Sequence, residues 1–219
     1  MLRIGILGAA RIARKFVDGV RGSAKVQVAG VAARDRSRAA AFAAATGVPQ
    51  IFESYEALLQ SEAIDAIYNP LPNALHAPWS IRAMDAGKHV LCEKPLAVSR
   101  AEAELMFAAA RRNGVRLAEA FPYRSQPQTL RLQQLIAEGA IGRVRMIWAT
   151  FAFTLANRLD IRLDPALAGG SLMDLGSYPL SLIRLIAGDD GILETTYANH
   201  TTDAPPPQSC NSPVPEFHC

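Results

Sequence analysis

Short apolar runs at residues 4–7, 26–32, 66–68, 89–91 and 115–118 alternate with stretches of helical character, and this alternation constrains the first 120 residues more than any other feature. Each run is long enough for one strand. Several are apolar on both faces, as strands covered by helices on either side must be. Helices are predicted between them at 12–20, 37–45, 55–60, 77–86 and 99–113. Alternation of this kind folds as an α/β unit, a doubly wound parallel sheet flanked by helices. The last helix carries the fullest set of boundary signals. Ser99 and Glu102 have capping-box spacing, Leu105, Met106 and Ala109 form an apolar stripe, and Asn113-Gly114 stops the helix.

The turn after the first run is Gly8-Ala9-Ala10-Arg11-Ile12-Ala13, a Gly-x-Gly-x-x-Gly/Ala pattern with alanine at its second position. Gly8 permits the tight turn, the small Ala10 lets backbone approach a pyrophosphate, and Ala13 lets helix and strand pack closely. The helix opening at Arg11 and Ile12 then offers free N–H groups and a positive dipole end to phosphate oxygens. Taken alone, such a turn is equally an ordinary strand–turn–helix. Its place at the first strand of a repeated β–α pattern is the context a dinucleotide site requires.

An NAD site has an acid at the end of the second strand, placed to accept from the ribose hydroxyl. Here the strand ends in Ala32-Ala33-Arg34, with Arg36 and Arg38 following. Arg34 and Arg38 suit a 2′-phosphate, and a guanidinium also stacks on adenine. NADP is therefore expected in preference to NAD. The alternative is a solvated arginine cluster partly neutralised by Asp35.

The pattern changes after residue 120. A helix is predicted at 128–138, a long β-branched and aromatic strand at 144–153, and an apolar helix at 171–186 that contains Gly176 and Pro179. Residues 189–219 hold Asp189, Asp190, Glu194, Asp203 and Glu216 but no Lys or Arg, so all 23 basic residues precede them. A basic balance can serve nucleic acid or small anions. The arginines are spread through helical patterns without interleaved aromatics, which argues against nucleic acid. No apolar run approaches the ~20 residues that cross a bilayer, so no membrane span is expected. The opening Met1-Leu2-Arg3 runs directly into the first strand, so a cytoplasmic protein without a signal peptide is expected. Cys92, Cys210 and Cys219 have no metal-ligand spacing around them, and no metal site is expected.

The run at 89–91 leads into Cys92-Glu93-Lys94-Pro95, which puts a lysine at the carboxyl end of a parallel strand, where such sheets bind ligands. Together with the glycine turn and Leu71-Pro72-Asn73-x-x-His76, this block resembles the glucose–fructose oxidoreductase/inositol dehydrogenase (Gfo/Idh/MocA) family. The resemblance continues through Glu119-Ala120-Phe121-Pro122-Tyr123-Arg124, Ile161-Arg162-Leu163-Asp164-Pro165 and the stretch from Gly169-Gly170-Ser171 through Asp174 to Tyr178-Pro179. It covers about residues 2–188 and is most similar to the NADP-using branch of dihydrodiol and aldose dehydrogenases. It departs from the family pattern at Ala10, Pro122 and Gln126.

The resemblance implies an N-terminal Rossmann domain (1–120) followed by an open-sheet α/β domain that is incomplete here (121–188). It implies cofactor contacts from Gly8, Ala10, Arg11, Ile12, Arg34, Arg38, Pro72, Asn73, His76, Glu93, Lys94 and Arg124. Lys94, Tyr178 and Asp174 are implied at the reaction centre, with a sugar, polyol or diol as substrate. On an α-helix Asp174 and Tyr178 would share a face. Hydride transfer from an alcohol needs a base for the hydroxyl proton, and the reverse needs an acid. Tyrosine ordinarily titrates near ~10, and a neighbouring ammonium lowers that value. The alternative is a Tyr178 that only packs. Family members form homo-oligomers through the second domain, much of which this chain is expected to lack.

The resemblance ends near Gly188. Beyond it come Pro205, Pro206, Pro207, Pro213 and Pro215 with no periodic apolar pattern, so residues 189–219 are expected to be a disordered, non-family tail. A C-terminal truncation or frameshift after about residue 188 is the corresponding expectation. Two further readings stand beside the enzyme: a nucleotide-binding remnant without turnover, and a cofactor-sensing regulatory protein.

Overall fold

The computed structural model describes residues 1–157 and 160–188; the expectation for residues 189–219 lies outside these. The described chain divides into two compact units, one of residues 1–120 with 166–168 and one of the remainder.

The first unit is a six-stranded parallel sheet built from β1 (Leu2–Leu7), β2 (Val26–Ala32), β3 (Gln50–Phe52), β4 (Ala66–Asn69), β5 (His89–Glu93) and β6 (Leu117–Ala120), in the order β3-β2-β1-β4-β5-β6. The helices are α1 (Arg11–Val20), α2 (Arg36–Thr46), α3 (Tyr55–Gln60), α4 (His76–Asp85) and α5 (Arg100–Arg112). Both faces of the sheet are buried. Ile4, Ile6, Val31 and Tyr68 pack beneath α1 and α2, whereas Leu7, Ile67, Val90 and Cys92 pack with Leu58, Met84 and Met106 of α3, α4 and α5. All strands run the same way, so every strand ends on one edge. The order reverses between β1 and β4, which leaves a crevice at their carboxyl ends.

Three local outcomes differ from the sequence reading. β3 is absent from the predicted strands; it is three residues long, too short for periodicity, and pairs with Gly30–Ala32 of β2. β6 lies two residues later than predicted, because Arg116 gives its carbonyl to Val90 and the paired residues run on to Ala120. The capping box of α5 is also displaced. Ser99 accepts from the Glu102 N–H as expected, but Glu102 accepts from Val98 rather than from Ser99.

The second unit contains α6 (Pro127–Ala137), a π-helix (Leu172–Gly176) and α7 (Ser177–Ala187), with short 3₁₀ turns at Pro122–Ser125 and Ile161–Leu163. The strand predicted over 144–153 does not form among the described residues. β-Branched and aromatic residues favour a strand only where a neighbour completes its ladder, and the described residues supply none. Met146 and Trp148 are accordingly 81% and 85% exposed. The helix predicted over 171–186 forms, but its first part is π rather than α, so α-helical spacing does not relate Asp174 to Tyr178. Pro179 lies in the first turn of α7, where a missing N–H is tolerated.

Candidate active site

β1 ends at Leu7, and Gly8 donates its N–H to Ala32 before the chain turns at a φ of +87°. A side chain there would be strained, and its Cβ would stand 3.1 Å from the Leu71 side chain, so the turn requires glycine. Ala10 then caps α1 without a side-chain hydrogen bond, leaving the first N–H groups of the helix at Arg11 and Ile12 for another acceptor. Ile12 is 42% exposed above this turn. A pyrophosphate fits a turn of small residues whose first helical N–H groups have no side-chain cap.

At the end of β2, Arg34 and Arg38 are both exposed. Asp35 between them caps its own helix through Oδ1, which accepts from the Ser37 N–H at 2.8 Å, the Ser37 hydroxyl at 2.7 Å and the Arg38 N–H at 3.4 Å. These bonds hold its carboxyl below the usual carboxylate range, that from the Ser37 hydroxyl being foremost. One oxygen of the acid is therefore committed to capping α2. Sequence reasoning missed Tyr55. Its hydroxyl lies beside the Arg34 N–H, 3.6 Å from where a Cβ on Gly8 would stand, so it joins the two turns. Burial pushes the phenol up, while Arg34 and Arg38 pull the other way. In the sequence Tyr55 is legible only as a core aromatic opening α3.

β5 ends at Glu93, and the turn after it contains a cis bond between Lys94 and Pro95. Side chains from neighbouring segments hold this turn on both sides of Lys94. The buried Tyr68 of β4, stacked on Phe16 at 4.2 Å, donates its hydroxyl to Glu93 at 2.6 Å. His76 Nδ1 lies 2.7 Å from the Pro95 carbonyl and Nε2 lies 2.7 Å from that of Leu71. Glu119, brought to the edge by the longer β6, accepts from the Leu96 N–H at 2.7 Å. Buried Asn69 spans the base of the β4 loop, donating to the His76 carbonyl and the Ser80 hydroxyl while accepting from Leu71. Pro72 follows at the switch point, and Asn73 donates to the Ala168 carbonyl at 2.8 Å. With both ring nitrogens against the backbone, His76 has no polar ring atom left for a nucleotide. Cys92 is buried beneath the turn, its thiol pushed up to about 12 chiefly by burial.

In the second unit Tyr178 sits among aromatic rings, 5.1 Å from Phe151 and 5.4 Å from Phe121 between centroids. A cavity of about 180 Å³ opens beside it, lined by Tyr123, Thr150, Phe151, Tyr178, Pro179 and Leu182. The Tyr123 hydroxyl donates to Ser181 at 2.7 Å, which ties one wall to α7. Asp174 pairs with Arg162 at 3.2 Å. Gly169 lets the chain pass close to Arg162, since a Cβ there would meet the Arg162 carbonyl. Arg124 is exposed at the end of a 3₁₀ turn. Among the described residues no group of three or more His, Cys, Asp or Glu could hold a metal, and no helix is long and apolar enough to cross a membrane.

Comparison with known proteins decides the lineage. A profile described as an oxidoreductase family with an NAD-binding Rossmann fold matches residues 2–121, and one described as a GFO/IDH/MocA C-terminal domain matches residues 129–213. The chain belongs to the Gfo/Idh/MocA oxidoreductase family. The second match runs on to residue 213, past Gly188 where the likeness read from the motifs ends, so residues 189–213 are not the non-family tail that the sequence reading expected. Among Gfo/Idh/MocA relatives, D-xylose 1-dehydrogenase (NADP(+)) 2 of Haloferax volcanii is 45% identical over 197 residues, covering 89% of this chain and 60% of that protein. Trans-1,2-dihydrobenzene-1,2-diol dehydrogenase of Mus musculus is 38% identical over 189 residues, covering 85% and 56%. The crystal structure of KijD10, a 3-ketoreductase from Actinomadura kijaniata in complex with NADP and TDP-benzene, superposes with a TM-score of 0.83 at 37% identity, over 89% of this chain and 60% of that one. This chain thus spans about 60% of the length of these relatives. Structures of the same reductase have also been solved with a single lysine or a single tyrosine replaced.

Proposed function

We propose that this chain carries the cofactor site and the central proton-handling residues of an NADP-dependent oxidoreductase that moves a hydride between NADP(H) and a sugar, polyol or diol. The observation that carries the proposal is the Lys94 turn. It lies at the carboxyl edge of the sheet, two strands across from the Gly8 turn, and side chains from three other segments hold it. The lysine and tyrosine replaced in the KijD10 structures are separated by the same number of residues as Lys94 and Tyr178, which supports the pair.

In this reading Gly8, Ala10, Arg11 and Ile12 hold the pyrophosphate, and Arg34 with Arg38 holds the 2′-phosphate. Asp35 is withdrawn from the ribose by its capping role, which favours NADP over NAD. The nicotinamide supplies the two-electron acceptor. Tyr178 takes the alcohol proton in oxidation and returns it in reduction, and the Lys94 ammonium stabilises the oxygen as it becomes an alkoxide. The aromatic rings around Tyr178 give that proton transfer a partly apolar setting. Asp174, paired with Arg162, keeps the turn before α7 in place.

The test is titration of the chain with NADP+ and NAD+, followed by turnover assays on D-xylose, other aldoses and a trans-dihydrodiol. NADP+ binding with turnover that Tyr178→Phe abolishes, at unchanged cofactor affinity, is the expected result. Binding without turnover on any substrate points to a cofactor-binding role without chemistry. An unimpaired Tyr178→Phe removes the proton-transfer assignment.

A further inference from the structure

The hydrogen-bond pattern around His76 dictates its charge. The residue is 1% exposed, and each ring nitrogen lies 2.7 Å from a backbone carbonyl oxygen, Nδ1 from that of Pro95 and Nε2 from that of Leu71. A carbonyl oxygen only accepts. A neutral imidazole has one N–H and one lone pair, so it satisfies one of these contacts and sets lone pair against lone pair in the other. An imidazolium donates to both. Leu71 lies on the loop after β4 and Pro95 on the turn after β5, so a doubly donating ring ties two separate segments together.

Burial works against a charge here. It is the largest influence on His76 and draws its pKa down, as Lys94 does, while the two carbonyls and Glu93 act upward. A buried charge persists where it is hydrogen-bonded at every donor and has a counter-charge. His76 meets both conditions. Its two contacts are at the short end expected of charge-assisted bonds. Glu93 supplies the counter-charge and is itself held by Tyr68. The neutral ring keeps its burial but leaves one carbonyl facing a lone pair at 2.7 Å, and that repulsion has no relief within the loop.

We propose that His76 is a positioning residue for Lys94: a buried imidazolium that bonds the Leu71 and Pro95 carbonyls together and so fixes the turn from which Lys94 projects. The positioning role rests on the catalytic reading of Lys94; the charge of His76 does not. The family motif containing His76 then serves the lysine turn, not the nucleotide directly.

Two measurements on the full chain test the two parts separately. ¹⁵N NMR of the His76 ring, assigned through its scalar connectivity, counts its protons without any turnover. Two protonated nitrogens at neutral pH, above the ~6.5 at which an unperturbed histidine loses one, are expected. A single protonated nitrogen at neutral pH overturns the proposal. Steady-state kinetics then compares His76→Gln, which keeps a donor but no charge, with Lys94→Ala. A misplaced reacting group costs on the order of 10²-fold per ångström, so His76→Gln should lower kcat by a factor of that order while KM and NADP+ affinity stay largely unchanged. Because it no longer contains the titrating ring, it should also lose any step that His76 contributes to the pH profile of kcat. An unchanged kcat in His76→Gln, beside an inactive Lys94→Ala, overturns the positioning role. A fully active Lys94→Ala sinks the catalytic reading and the positioning role with it, while the proton count still decides the charge.

Discussion

Replacing Arg34 by aspartate probes the proposed 2′-phosphate contact. Arg34 is exposed at the end of β2, so its interaction with a 2′-phosphate is a solvated one. Two unit charges ~4 Å apart in water interact by about 1 kcal/mol. A phosphate monoester carries about −1.5 to −2, so the guanidinium contributes about 1.5–2 kcal/mol. Reversing the charge removes that attraction and adds a repulsion of similar size, about 3–4 kcal/mol in all. At 1.36 kcal/mol per tenfold, NADP+ affinity should fall by about 10²–10³-fold. NAD+ has no 2′-phosphate and should lose only the stacking of the guanidinium on adenine. The fold should be unaffected, because Asp35 and not Arg34 caps α2. Calorimetric titration of both variants with both cofactors reads the difference directly. The contact is shorter than the ~8 Å screening length at physiological ionic strength, so salt reduces the effect without reversing it. Equal weakening of NADP+ and NAD+, or an undiminished preference for NADP+, would refute the 2′-phosphate site.

Asp35→Ala should lower stability through loss of the cap, seen as a reduced Tm; an unchanged melt would mean that the cap contributes nothing. The Arg3–Asp65 pair, with Asp65 Oδ1 2.6 Å from the guanidinium and Oδ2 accepting from the Arg3 backbone at 2.8 Å, holds the Asp65 carboxyl well below its usual range. Its stabilisation is therefore present above the ordinary carboxylate pKa and fades as pH falls towards the depressed folded value. The two side chains are 38% and 33% exposed, so Asp65→Asn should cost about 1 kcal/mol or less at neutral pH. Denaturant midpoints of the two chains should converge in strong acid; a pH-independent gap would contradict the ion-pair origin. Cys92, buried with a thiol pushed up to about 12, should be alkylated only on unfolding, and rapid labelling in the folded chain would show the sheet edge to be open.

The architecture of the first unit was legible because its signals are local. Apolar runs of strand length, Ser99 before α5 and Asn113-Gly114 after it depend on residues a few positions apart, and they mark elements whose ends the structure moves by a residue or two. Gly8 announced its turn for the same reason, since a positive φ is a property of one residue. β3 escaped notice because three residues carry no period, and it exists only through the exposed edge of β2. The segment at 144–153 failed in the opposite sense: its residues favour a strand, but a ladder needs a second chain segment that the described residues do not provide.

The sequence by itself determined the parallel α/β unit, the glycine turn at Gly8, the arginine in place of an acid at residue 34 and the lysine at the end of β5. Tertiary structure alone decided that Asp35 is consumed as a helix cap, that Tyr55 joins the Gly8 and Arg34 turns, and that Tyr68, His76 and Glu119 hold the turn around Lys94. The division has one physical cause. Backbone conformation and amphipathic pattern are set by near neighbours along the chain. The acceptor that a buried donor finds is often set by a distant segment that the fold brings within 3 Å of it: His76 finds one acceptor on its own loop, at Leu71, and the other at Pro95, on a turn that only the parallel sheet makes adjacent.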